Sequence, residues 1–291
     1  MESPKEGDNV TILELLRSSY CLEHALCLKQ QSLEQMRYAV DRFNEHLGRD
    51  ATIEDFTKLN LIGLMVARKA SVAAATVNKD RRELLALWRH AADNGLCGQP
   101  PRIAKCPEPL NEPHTFATSD LTKIIAATKL MADPIWWRSV VLFLYDSGAR
   151  ISASLAIKVS DVDFAARTAR LLSSNSKTLR WQRVTLSDDA VEAMTAQAIG
   201  REPGELLWPW RRHKRQLFPW FRKLVDTAGV ELPRGKCFHS LRRTHGTAVC
   251  ELFGIETASQ SLGHTNTQTT KLYVARDRLT VLRVADRLPR P

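Results

Sequence analysis

The sequence predicts a mainly α-helical protein of two domains, with a small antiparallel β-sheet in the second (α+β). Three observations carry this: apolar residues at helical spacing through the first 95 positions, a proline-rich break, and one short strand-rich stretch set among further helical segments. The chain has 291 residues and 44% hydrophobic content, enough for two ordinary packed cores.

In the first block, Leu33, Met36, Val40, Phe43 and Leu47 recur at three- and four-residue intervals, and Ser32 with Gln35 fits a capping box ahead of them. A second helix is expected from Ala74 to Asn94, stopped by Gly95. It sets Val77, Leu84, Leu85, Trp88 and Ala91 against a basic face of Lys79, Arg81, Arg82 and Arg89. That face is either an ordinary solvated one or one that meets nucleic acid. Pro100, Pro101, Pro107, Pro109 and Pro113 remove backbone donors and break periodicity, so residues 97–115 read as a linker between domains 1–96 and 116–291.

The second block is expected to open with helices over Ser119–Met131 and Pro134–Asp146. Strands at Ala169–Ser173 and Arg183–Leu186 then flank the polar turn Ser174-Asn-Ser-Lys177. Ser187 caps a helix running to Ala198. Others follow from His213 to Ala228 and from near His239, Glu256 and Thr267.

A net charge of +10 and a pI near 9.5 point to a polyanionic partner, because Lys and Arg that neutralise phosphates release condensed counterions. The longest apolar runs, Leu61–Ala67 and Val140–Tyr145, are far below the roughly 18 residues of a bilayer span, and the N-terminus lacks a signal-peptide pattern. No membrane association and a cytoplasmic location are expected. Six cysteines lie far apart and read as free thiols. Cys21, His24 and Cys27 share a helical face, but no second pair completes a tetrahedral shell, so no metal is expected there.

The chemistry concentrates in five places: Arg150 in Ser147-Gly-Ala-Arg-Ile-Ser152, Lys177 in the hairpin turn, His239 and Arg242 three apart on one helical face, His264 in Leu-Gly-His, and Tyr273 nine residues later. Each has a plain alternative. Lys177 could be a soluble turn residue, Arg150 could pair with Asp146 or Asp161, and Tyr273 could be an amphipathic core position.

Taken in order, however, these motifs resemble the tyrosine recombinases, the phage integrase family. That signature is an Arg in a Gly-x-Arg turn, a hairpin Lys, His-x-x-Arg, Leu-Gly-His and a Tyr nine residues after the last His. The resemblance implies a helical core-binding domain in the first block, a catalytic domain in the second, and catalytic roles for Arg150, Lys177, His239, Arg242, His264 and Tyr273. One position departs from the pattern: Ala153 stands where many members carry an acidic residue three after the first arginine.

The physical chemistry agrees with that assignment. Guanidinium forks suit the charge that grows on phosphate oxygens. With a reference pKa near 10, roughly one phenol in a thousand is ionised at neutral pH, so Tyr273 needs a base and nearby positive charge. His239 is expected to take its proton, Lys177 to protonate the leaving 5′ oxygen, and His264 to donate to the phosphate. A 3′-phosphotyrosyl link preserves the bond energy, so neither nucleotide cofactor nor metal is expected. The partner implied is double-stranded DNA. The tail after Tyr273, with Leu279, Leu282, Val284, Ala285 and Leu288 among arginines, either packs on its own domain or docks on a neighbour in a homo-oligomer, a tetramer on paired sites. A type IB topoisomerase and a DNA-binding relative that has lost catalysis are the alternatives.

Overall fold

A computed structural model describes residues 10–26, 29–109, 113–172, 181–264, 267, 270 and 274. The chain divides into two compact units, Met1–Leu110 and Asn111–Pro291, each with its own hydrophobic core. Among the described residues no helix is long and apolar enough to cross a membrane.

Unit 1 is helical. It begins with a short α1 (Ile12–Leu15), a π-helical turn (Leu16–Tyr20) and α2 (Cys21–Glu23), followed by α3 (Gln30–Leu47), α4 (Lys58–Lys69) and α5 (Ala74–Asp93). The predicted stripe on α3 is realised: Met36, Val40 and Phe43 are buried, and Leu33 and Leu47 pack at the margin of the core. The helix begins two residues before Ser32, with Lys29 at its N-cap, so the expected capping box does not form. On α5, Val77, Leu84, Leu85, Trp88 and Ala91 all face inward.

The expected linker is not a free tether over its first part. Trp88 Nε1 donates to Gly98 O at 2.9 Å, and the guanidinium of Arg81 donates to Ile103 O. Asn78 exchanges bonds with the backbone of Cys106, donating through Nδ2 at 2.9 Å and accepting through Oδ1 at 2.8 Å. Ile103 is buried in the unit 1 core. Prolines deprive this strip of ladder bonds, so polar side chains of α5 satisfy its backbone instead. Arg81 is therefore withdrawn from the basic face that the sequence suggested.

Unit 2 contains α6 (Thr118–Ala127), α7 (Pro134–Ser147), α8 (Ile151–Ser154), strands β1 (Val162–Asp163), β2 (Thr168–Leu172) and β3 (Trp181–Thr185), α9 (Asp188–Ala198), α10 (Leu217–Thr227) and α11 (His239–Ser261). Asp133 caps α7 by accepting from Trp136 N, Pro134 sits in its first turn, and Gly148 in the left-handed region ends it. The middle of α7 is apolar all round, and Val140, Val141, Phe143 and Leu144 are at most 1% exposed. It is the central rod of the unit, packed by α9 and α11.

The sheet has order β1-β2-β3 and is antiparallel throughout, with Thr168 opposite Thr185 and Leu172 opposite Trp181. The predicted strands are shifted by one or two residues but pair as expected. Ser187 caps α9 as predicted, and it also donates from N and Oγ to Asp146 at 2.7 Å, joining the end of α7 to the start of α9. The helices expected from His239 and Glu256 form one element broken at Gly254, whose φ of 84° and ψ of 170° suit only glycine.

Candidate active site

The site grows from the sharp end of α7. Ser147 Oγ donates to Phe143 O and accepts from Ala149 N, and Gly148 turns the chain at φ 58°. A Cβ on Gly148 would lie 2.5 Å from His245 Cδ2 and 2.9 Å from Leu262 Cδ2, so both dihedral and space demand glycine here. The turn leaves Arg150 as the half-buried N-cap of α8. The carboxylates that might have held Arg150 structurally are otherwise engaged. Asp146 accepts from Ser187, while Asp161 accepts from Lys158 N and from Arg170. Ala153 packs at the margin of the core.

Arg242 is the organising residue. It lies in the second turn of α11 and is 3% exposed. Its NH1 donates to Gly148 O at 2.5 Å, and its NH2 donates to Leu262 O at 2.7 Å and to His264 Nε2 at 2.9 Å. One guanidinium thus ties the turn before Arg150 to the turn that carries His264, through three acceptors that are themselves neutral. Desolvating a cation this far leaves a strong local field for an anion.

His264 is fixed by its partners. Arginine can only donate, so Nε2 accepts and Nδ1 carries the hydrogen, which it donates to Thr270 Oγ1 at 2.9 Å. Burial, then Arg242 and Arg150, push its pKa down to about 4. In this arrangement the imidazole accepts from Arg242 and helps to hold its guanidinium in place. Thr270 is fully buried and accepts from Val274 N at 3.2 Å.

His239 opens α11 one turn before Arg242, on the same face, and is solvent-exposed. Partial burial of its ring and then the positive fields of Arg242, Arg243 and Arg150 lower its pKa, so it is neutral at pH 7 and able to accept a proton. That Arg150 acts on both His239 and His264 brings the four residues into one electrostatic neighbourhood. Lys177, Tyr273 and the tail from residue 275 onward lie outside the described residues.

Two supporting residues were not assigned from sequence. His245, three positions beyond Arg242, is buried, hydrogen-bonded through Nδ1 to Tyr145 O and through Nε2 to Ser261 Oγ, each at 2.7 Å. Its i+3 relation to Arg242 was the available signal. Gln182 on β3 donates from Nε2 to Ser261 O at 2.6 Å, fastening the sheet to the turn of His264. Its partner lies 79 residues away, and no local pattern marks it.

Comparison with known proteins places this geometry. The sequence profile of the phage integrase family matches residues 115–279. The tyrosine recombinase XerD of Mycobacterium leprae is 27% identical over 277 residues, covering 83% of this chain and 85% of that protein. The Tn1549 transposon integrase, solved in complex with transposon right end DNA, superposes with a TM-score of 0.79 at 12% identity, over 96% of this chain and 99% of that one. The lambda integrase tetramer bound to a Holliday junction gives 0.73 at 18% identity, over 92% and 78%. These two share the fold. The matched profile takes in more than half of the sequence, including Arg150, His239, Arg242 and His264 where the site is built: the chain belongs to the phage integrase family, the tyrosine recombinases.

Proposed function

We propose that this protein is a site-specific DNA recombinase that cuts and rejoins double-stranded DNA through Tyr273. The observation that carries the reading is the convergence of Arg150, His239, Arg242 and His264 around one guanidinium-centred field. Arg150 and Arg242 would hold the non-bridging oxygens of the scissile phosphate, with His264 keeping Arg242 in register. Neutral, exposed His239 would take the phenolic proton as Tyr273 attacks phosphorus. The bond from phosphorus to the 5′ oxygen breaks, and Lys177 delivers the proton that oxygen needs. The products are a 3′-phosphotyrosyl link and a 5′ hydroxyl, and reversal onto another strand completes the exchange. The helical unit 1 would serve as the core-binding domain. Assembly as a tetramer on paired sites follows by analogy with the lambda integrase.

A nicked suicide substrate tests this directly. A covalent protein–DNA adduct is expected, absent in Tyr273→Phe and reduced about 10²- to 10³-fold in Arg150→Ala. Full binding with no adduct under any condition would instead mark a DNA binder without catalysis, the outcome to which Ala153 would be relevant.

A further inference from the structure

Outside the proposed catalytic centre, unit 1 brings together a second set of chemically capable side chains. Glu23, His24 and His90 place one oxygen and two nitrogens within 4.8 Å of one another. His90 comes from the last turn of α5, and the other two come from the end of the first helical segment, 66 or more residues earlier. We propose that these three side chains form a binding site for a divalent transition-metal ion of the zinc class, which pins the N-terminal segment to α5.

The geometry is already close to that of a ligand shell. His90 Nδ1 and Glu23 Oε2 are 3.1 Å apart. Two donors bound to one tetrahedral zinc at about 2.0–2.1 Å are separated by about 3.3 Å, so a cation can enter between them with little movement. The remaining His90 nitrogen, Nε2, lies 2.8 Å from Ser19 Oγ. A hydrogen-bonded outer nitrogen of this kind orients metal-bound imidazoles in general. The ring of Tyr20 packs to one side of both imidazoles, with centroids 4.3 Å from His24 and 5.1 Å from His90, while the two imidazole centroids are 6.1 Å apart.

Local backbone structure serves the same end. Leu16–Tyr20 forms a π-helical turn, an irregularity that re-aims side chains and often accompanies binding sites. It directs Ser19 and Tyr20 onto His90. The negative end of the α5 dipole lies at Asp93, three residues past His90, and favours a cation there. Glu23 is exposed and His90 is buried, so the site has an open side for entry and for a water in the fourth position. Two imidazoles and one carboxylate form a borderline donor set that suits zinc over calcium or magnesium. Of the Cys21, His24, Cys27 pattern in the sequence, His24 belongs to this site, and Cys27 lies outside the described residues.

The test is equilibrium dialysis of the full-length protein against buffered Zn²⁺ after chelator treatment, with the thermal midpoint recorded in parallel. One ion per chain and a raised midpoint are expected. Glu23→Gln, at an exposed position, and His24→Ala, at a partly buried one, should each abolish that ion, with the metal-free variants still folded by circular dichroism. Ser19→Ala should weaken binding about 10- to 100-fold, and the double change Cys21→Ser with Cys27→Ser should leave it intact. No bound ion, or binding that survives Glu23→Gln and His24→Ala but is lost in the cysteine double variant, overturns the proposal.

Discussion

At the scale of the residue, two positions show how closely the site is packed. Gly148 combines a positive φ with no room for a methyl group, so Gly148→Ala should cost about 1–3 kcal/mol and displace His245 or Leu262. Denaturant midpoints of variant and wild type measure it. His245 makes a pH prediction. Its carbonyl partner requires hydrogen on Nδ1, and burial, partly offset by that hydrogen bond, holds its pKa down to about 4. The unfolded chain therefore binds a proton that the native one refuses between about pH 6.5 and 4. Stability is complete above that window and falls as pH drops through it, by on the order of 3 kcal/mol for this group. His245→Asn should flatten the dependence in urea titrations at pH 7 and pH 5. Equal slopes in both proteins would show that His245 is not the group responsible.

At the scale of the element, unit 1 is cross-braced by one carboxylate. Asp80 on α5 accepts from Arg42 of α3 at 2.7 Å and from Arg68 of α4 at 3.1 Å, and its own side chain is 4% exposed. Asp80→Ala strands two guanidiniums against an apolar core. Because both arginines retain some solvent access, the expected loss is about 2–3 kcal/mol, below that of a fully buried pair. Calorimetry of the variant checks it. The break in α11 belongs to this scale as well. Its first part holds His239, Arg242 and His245, and its second ends at the turn of His264, so the bend at Gly254 lets one element supply both sides of the guanidinium.

At the scale of the whole molecule, the formal charge of +10 bears on the proposed partner. Affinity for duplex DNA should fall steeply with salt, with a slope of log K against log salt near −0.9 for each phosphate neutralised. Six to ten contacts would lower affinity by about 10³- to 10⁵-fold between 50 and 200 mM salt. Fluorescence anisotropy across that range measures it. A flat profile would show that the excess charge does not face nucleic acid.

The sequence by itself determined the helical stripes, the hairpin strands, the Ser187 cap and the proline-rich break, because each is written in residues a few positions apart. It also held six candidate site residues in an order that marks the family, four of them among the described residues. What only the tertiary structure decided depends on partners distant in the chain: Arg242 on Gly148 O, Gln182 on Ser261 O, Asn78 on the strip after α5, and His90 beside Glu23. Local periodicity encodes which face of a helix is apolar. Which polar atom meets a buried donor is settled only when the cores close and each desolvated group must find an acceptor.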